Sequence, residues 1–131
     1  MMDMNITFGG NKKIIAEYKG MQIPTDQPEN SGGEGSAPEP FSLFLASIGT
    51  CAGFYVKSFC DKRELDPEGI KITQSMNFDA EKRLVNEIEI DIDLPEGFPQ
   101  KYHKALLKAV DSCTVKKHLA DPPKIKTVIN S

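Results

Sequence analysis

The run PFSLFLASIGTCAGFYVKSFCDKREL, residues 40–65, is apolar on nearly all sides and has no proline after its first position. A helix formed by such a run must be buried on most of its surface. We therefore predict a buried central helix over residues 41–65. Because glycine inside a helix costs about 1 kcal/mol relative to alanine, we expect the backbone of another element to pack closely against its small residues. These small residues are Ala46, Ser47, Gly49, Ala52 and Gly53.

The chain before this helix predicts short strands followed by a long loop. Residues 1–23 contain short apolar runs broken by Gly9-Gly10 and by Lys19-Gly20, a pattern typical of a strand meander. Residues 24–40 are rich in Pro, Gly, Ser, Asn and Glu and have no large apolar side chain. Loops of this length are usually lids or disordered segments. The predicted strands are Asn5–Phe8, Lys13–Tyr18 and Met21–Ile23.

Residues 66–131 predict further strands and a second helix. Pro67 and Gly69 end the central helix, and a later run alternates isoleucine with acidic residues, as a strand with one solvated face does. The elements predicted in order are strands at Ile70–Phe78 and Leu84–Leu94, a helix at Pro99–Asp111, a short helical turn before Pro122-Pro123 and a strand at Lys124–Ile129. This order predicts one α+β domain over residues 1–131, with helices packed on antiparallel sheet.

Charge and composition exclude several classes of protein. The chain has 131 residues, with 16 Lys and Arg against 19 Asp and Glu. Its net charge of −3 has the wrong sign for binding nucleic acid by counterion release. No apolar run approaches the roughly 20 residues that span a bilayer, and no basic and apolar leader begins the chain. We therefore expect a cytoplasmic protein that contacts neither nucleic acid nor membrane.

The sequence predicts no nucleotide or metal site. No Gly-x-x-x-x-Gly-Lys motif is present, and the glycine-rich stretch at residues 32–35 has the wrong spacing for a dinucleotide site. The two histidines, His103 and His118, lie on different predicted elements, and no two cysteines stand at zinc-knuckle spacing. We therefore expect no cofactor.

Three cysteines are the candidates for chemistry. Cys51 lies in the middle of the central helix, and Cys60, nine residues later, points about 180° away, so the two cannot serve one site. Cys113 follows the N-cap-like pair Asp111-Ser112, and a new helical turn there would place backbone amides near its sulfur. The alternative is that these thiols only pack the core, as buried cysteines commonly do. We interpret Cys60 as such a packing residue.

Two stretches together resemble the OsmC/Ohr family of peroxide-reducing proteins. The first is the glycine loop Gly33-x-Gly35-Ser36-Ala37-Pro38-x-Pro40 followed by Ser42 to Cys51, and the second is Asp111 to Val115 with Leu119. The resemblance implies an OsmC-like intertwined homodimer, with antiparallel sheets wrapped around two buried central helices. It also implies two equivalent active sites at the subunit interface.

The same resemblance implies a mechanism. Cys51 would be the peroxidatic thiolate that attacks an organic hydroperoxide or another small electrophile and becomes a sulfenic acid. Cys113 would then condense with Cys51 to a disulfide, which an external dithiol, often a lipoylated protein, reduces. The expected substrate pocket is lined by Phe41, Ser47, Ile48, Phe54 and Tyr55.

The sequence departs from the family at two positions that matter for this chemistry. Active members carry a glutamate ten residues before the first cysteine, where this chain has Phe41. They also carry an arginine after an N-terminal Gly-Gly, where this chain has Asn11. Lys12 or Lys13 could supply positive charge there but not the bidentate fork of a guanidinium.

These departures keep two other hypotheses open. One is a non-peroxidase relative that binds a small apolar or thiol ligand at the dimer interface. The other is a purely structural domain that binds a protein partner, in which Cys51 and Cys113 would be inert.

Overall fold

The computed structural model describes residues 2–131, which form an α+β fold with antiparallel sheets, as predicted. The strands are β1 (Asn5–Phe8), β2 (Ile14–Tyr18), β3 (Met21–Thr25), β4 (Lys71–Asp79) and β5 (Leu84–Asp93). The helices are α1 (Pro40–Lys62), α2 (His103–Asp111) and α3 (Thr114–Ala120), and 3₁₀ turns lie at Glu29–Ser31 and Gln100–Tyr102. The chain divides into two compact units, one ending at Ala46 and the other running from Ser47 to Ser131.

The first unit contains a three-stranded antiparallel meander in the order β1-β2-β3. The β2–β3 hairpin closes through Lys19 and Gly20, which both have positive φ angles, 51° and 77°. Two-residue turns of this hand match the twist of the flanking strands, and they favour glycine. The predicted turn residues therefore set the pairing of these strands.

The long loop that follows β3 is held closed by Asp26, although its composition predicted a lid or a disordered segment. The Asp26 carboxylate is fully buried. It accepts hydrogen bonds from the Gln27 amide at 2.7 Å, from the Ser36 amide at 3.1 Å and from the Ser36 hydroxyl at 2.6 Å. The loop is also joined to the meander, because Asn11 donates from Nδ2 to the Gly32 carbonyl at 3.1 Å. Side-chain bonds thus replace the apolar core that the loop lacks.

The second unit packs one stripe of α1 against α2 and the β4–β5 hairpin. Its core consists of Ala52, Val56, Phe59, Cys60, Phe98, Leu106 and Val110. A Cβ atom on Gly49 would lie 2.5 Å from the Gln74 side-chain oxygen on β4, so the glycine allows a close approach there. The predicted close contact on the small residues of α1 is present at this position, although a side chain makes it rather than a backbone.

The rest of α1 is less buried than its sequence predicted. Phe54 is 67% exposed, and Phe41 in the first turn is 51% exposed. A single copy of the chain does not supply enough elements to cover a helix that is apolar on nearly all sides. The expectation that no apolar run approaches the length of a membrane span is wrong, because the 23 residues of α1 are long and apolar enough to cross a membrane, as the core helices of soluble proteins also are.

The predicted strand at Lys124–Ile129 is wrong for the chain as described. Residues 122–131 form no strand, and Ile125 and Ile129 are 89% and 93% exposed. An alternating pattern needs a hydrogen-bonding neighbour to form a stable strand. No strand edge within residues 2–131 pairs with this segment.

Candidate functional site

Cys113 is itself the N-cap of α3, although the sequence predicted that Asp111-Ser112 would cap this turn and that Cys113 would follow them. Asp111 instead ends α2, and Ser112 is the C-cap of that helix. The Cys113 side chain is fully buried, and its sulfur accepts a hydrogen bond from the Lys116 amide at 3.4 Å. A salt bridge of 2.6 Å between the Asp111 carboxylate and Lys116 Nζ spans the same turn. The structure therefore gives the Cys113 sulfur a backbone amide donor in a fixed turn.

Cys51 lies in the middle of α1 and is a partly exposed free thiol. Tyr55, one helical turn later, hydrogen-bonds through its hydroxyl to the Thr114 hydroxyl at 3.0 Å. Thr114 directly follows Cys113 in the chain. This bond therefore joins the α1 turn that follows Cys51 to the start of α3, where Cys113 lies.

Cys60 lies in the core on the opposite side of α1, as expected of a packing residue. Burial, followed by the nearby Asp61 carboxylate, raises the pKa of the Cys60 thiol. A buried thiol that stays protonated is a poor nucleophile. Cys60 is thereby separated from Cys51 in both position and chemistry.

The other predicted site residues are distributed over both units. Lys13, on the first unit, pairs with Glu34 at 2.7 Å, and this hydrogen bond raises the pKa of Lys13. Lys12 lies beside Gly32 in the same unit. Phe41 stacks on Phe44 with 5.6 Å between ring centroids. The roles of these three residues stay predictions.

The predicted pocket residues of the second unit do not line one common cavity. Ile48 lines a first cavity and Tyr55 lines a second. The Phe54 ring is mostly exposed, and Ser47 is the first residue of the unit. The first cavity, about 230 Å³, is apolar and is closed on one side by the Asp111–Lys116 salt bridge. Its apolar walls include Ile48, Ile88, Ile90, Ile92, Leu107 and Leu119.

The second cavity is a groove of about 360 Å³ between α1 and α2. It has Tyr55 at one side and carries three cations, Lys62, Arg63 and Lys108. No sequence motif predicted these cations as a group, because Lys108 is far from Lys62 and Arg63 in the chain and only the packing of the helices brings them together. The sequence features that could have indicated this groove are the basic residues Lys62 and Arg63 at the end of α1 and Lys108 on the predicted second helix.

Residues 2–131 contain no group of three or more His, Cys, Asp or Glu side chains that could hold a metal ion.

Comparison with solved structures finds the same fold in several proteins of low sequence identity. A Psychrobacter arcticus protein described as an osmotic stress induced and detoxification response protein matches with a TM-score of 0.73 and 24% identity, over 89% of this chain and 87% of that one. An OsmC-like protein from Mycoplasma pneumoniae matches with a TM-score of 0.70 and 12% identity, over 93% and 89%. An organic hydroperoxide resistance protein OsmC from Legionella pneumophila matches with a TM-score of 0.53 and 17% identity, over 91% and 90%. No curated protein matches the chain significantly.

The sequence model of the OsmC-like proteins matches residues 33–128. This range begins in the glycine loop and includes all of α1, both β4 and β5, and the turn that holds Cys113. The match covers well over half of the chain, and the chain belongs to the OsmC-like family.

Proposed function

We propose that the chain is a thiol-dependent peroxidase that reduces organic hydroperoxides through Cys51 and Cys113, as a defence against oxidative stress. The observation that carries this proposal is the 3.0 Å bond between Tyr55 and Thr114. It ties the helix of one cysteine to the turn of the other. Family membership supports the proposal, since a structural neighbour is named an organic hydroperoxide resistance protein.

The different burial of the two thiols supports a different role for each. Cys51 is partly exposed, whereas Cys113 is fully buried. A hydroperoxide that arrives from solvent meets Cys51 first, so Cys51 is assigned the initial attack. Cys113 then acts within the protein as the resolving thiol.

The proposed chemistry proceeds in three steps. The Cys51 thiolate attacks the terminal peroxide oxygen, the O–O bond breaks, and the alkoxide takes a proton and leaves as the alcohol, so that Cys51 becomes a sulfenic acid. The Cys113 thiolate attacks the Cys51 sulfur, an S–S bond forms, and the hydroxyl leaves with a proton as water. An external dithiol, such as a lipoylated protein, then returns two electrons and is itself oxidised to a disulfide.

A second candidate function is supported by a different observation. Phe41 stands where active relatives carry a glutamate, and the apolar cavity of about 230 Å³ offers room for a ligand without any peroxide chemistry. In this candidate the protein binds a small apolar or thiol compound and Cys51 is not a redox centre.

We also propose a homodimer and a cytoplasmic location. Phe54 is the most exposed aromatic residue of α1, and Ile125 and Ile129 are exposed in the unpaired C-terminal segment. Covering these apolar side chains with a second copy of the chain would bury them and give the C-terminal segment a strand to pair with.

The deciding experiment mixes the reduced protein with one equivalent of cumene hydroperoxide and follows thiol loss by rapid quench and peptide mapping. The expected result is a fast reaction that ends in a Cys51–Cys113 disulfide. Cys51→Ser should abolish the reaction, Cys113→Ser should stop it at the sulfenic acid, and Cys60→Ser is the matched control that should leave it intact. Oxidation no faster than that of a free thiol would reject the peroxidase and favour the ligand-binding candidate.

A further inference from the structure

The groove between α1 and α2 combines positive charge with an apolar floor. Lys62 and Arg63 come from the end of α1, and Lys108 comes from α2. The rings and methyl groups of Phe59, Ala105 and Ala109 line the same space. Its volume of about 360 Å³ lies within the range of small-molecule sites in proteins.

Arg63 is held in a defined position in this groove. Its guanidinium carbon lies 3.6 Å from the centre of the Phe59 ring and 5.6 Å from that of Tyr102. One guanidinium nitrogen donates to the Phe59 carbonyl at 3.3 Å. Stacking and this single bond fix the plane of the guanidinium and leave its other N–H groups available, which is the arrangement that suits a planar or tetrahedral oxyanion.

The positive charge of the groove is not compensated by acidic side chains. None of the residues that line it is Asp or Glu. In residues 2–131, salt bridges join Lys13 to Glu34, Lys57 to Asp61 and Lys116 to Asp111, and none involves the three cations of the groove. A local excess of positive charge on a protein whose net charge is −3 attracts an anion to this place in particular.

We propose that this groove is a binding site for an anionic group, a carboxylate or a phosphate ester, carried on a small apolar body. The oxyanion contacts Arg63 and Lys108, with Lys62 at the rim, and the apolar body lies against Ala105 and Ala109 of α2. The site adjoins the thiol region through Tyr55, but the inference does not depend on peroxidase activity. Its failure and the failure of the proposed function are therefore separate results.

The test is a titration of the full-length protein with three benzene derivatives, followed by two-dimensional ¹H–¹⁵N NMR. Phenyl phosphate and benzoate carry the two anions, and benzyl alcohol has a similar body without charge. At least one anion should give saturable shifts at Ala105, Ala109 and Ser112, and should bind about tenfold more tightly than benzyl alcohol, as expected for charge-assisted contacts. The tighter of the two anions identifies the ligand chemistry.

Two double variants localise the binding. Arg63→Gln with Lys108→Gln should weaken the anion about tenfold, the loss expected for one or two charge-assisted contacts. Lys82→Gln with Arg83→Gln removes the same two residue types from the exposed β4–β5 turn and should leave binding unchanged. The spectra of the unliganded variants report that each remains folded, since all four positions are exposed.

Equal binding of benzyl alcohol and the anions would overturn the proposal. So would an equal loss of affinity in both double variants, because general charge and not the groove would then attract the anion.

Discussion

Replacing Gly33 with alanine should destabilise the protein by acting on the loop that Asp26 holds together. A Cβ atom at this position would lie 2.0 Å from the Gln27 carbonyl oxygen, 2.5 Å from its carbon and 2.8 Å from the Asp26 Oδ1 atom. Ordinary contact begins at about 3.4 Å, so the Gln27 backbone would have to move by more than about 1 Å. The obstacle is backbone rather than the end of a flexible side chain, and the movement would break the hydrogen bond from the Gln27 amide to Asp26.

Overpacking of this kind costs about 1 to 3 kcal/mol. The measurement is urea unfolding followed by far-UV circular dichroism, at one fixed protein concentration so that association does not change the comparison. Gly97→Ala is the matched control, because a Cβ atom on Gly97 meets nothing within 4 Å and its φ angle needs no glycine. Equal midpoints for the two variants would refute the role given to Gly33, as would hydrogen exchange in residues 26–36 that is no faster than in the unchanged protein.

Three further outcomes follow from individual side chains. The Ser36 hydroxyl and the Gln27 amide hold the pKa of Asp26 at about 2, below its usual 3.8, so the contribution of Asp26 to stability is complete above pH 3.8 and is lost as the pH falls toward 2. Asp26→Asn should therefore flatten the plot of unfolding free energy against pH between these values, and an unchanged slope of that plot would contradict the assignment. Iodoacetamide should label Cys51 in the native protein well before Cys60, whose thiol is buried and has a raised pKa. Mass spectrometry of timed samples measures the order of labelling, and faster labelling of Cys60 would contradict this prediction. Tyr55→Phe should lower the free energy of unfolding in urea by about 0.5 to 1.5 kcal/mol, because it removes the bond to Thr114, and it should slow disulfide formation after peroxide. Tyr18→Phe, whose hydroxyl bonds to the Met2 sulfur, is the control and should leave disulfide formation unchanged; equal rates of disulfide formation in both variants would remove Tyr55 from the site.

Local sequence signals predicted most of the elements and the turn at which Cys113 lies. Alternation predicted β5, and a new turn was predicted where Cys113 caps α3. Each of these signals acts over a few residues, so the rest of the fold cannot easily override it. The predicted end of α1 at residue 65 is wrong: the helix ends at Lys62, because Glu64 takes a positive φ of 53° and the Leu65 amide donates to the Cys60 carbonyl.

The features that sequence reasoning missed depend on contacts between distant residues. Asp26 and Ser36 are ten positions apart in a loop without periodicity. No local pattern indicates that the Asp26 carboxylate would accept hydrogen bonds from the amide and hydroxyl of Ser36. Arg63 and Lys108 are separated by the whole β4–β5 hairpin, and only the packing of α2 on α1 places them in one groove. Such sites follow from tertiary structure and not from a motif.

Two of the departures from prediction, at α1 and at the C-terminal segment, have a common physical origin. An apolar sequence pattern indicates how deeply a segment is buried in the assembled protein, but it does not indicate whether the same chain or a second copy buries it. The α1 sequence predicts burial on nearly all sides, but Phe54 is 67% exposed, and the alternating C-terminal run finds no strand, with Ile129 93% exposed. In each case the segment has the composition of an interior element and lacks a neighbour within residues 2–131. A second copy of the chain could cover the open face of α1 and pair with the C-terminal segment at once, which is why both departures support the proposed homodimer.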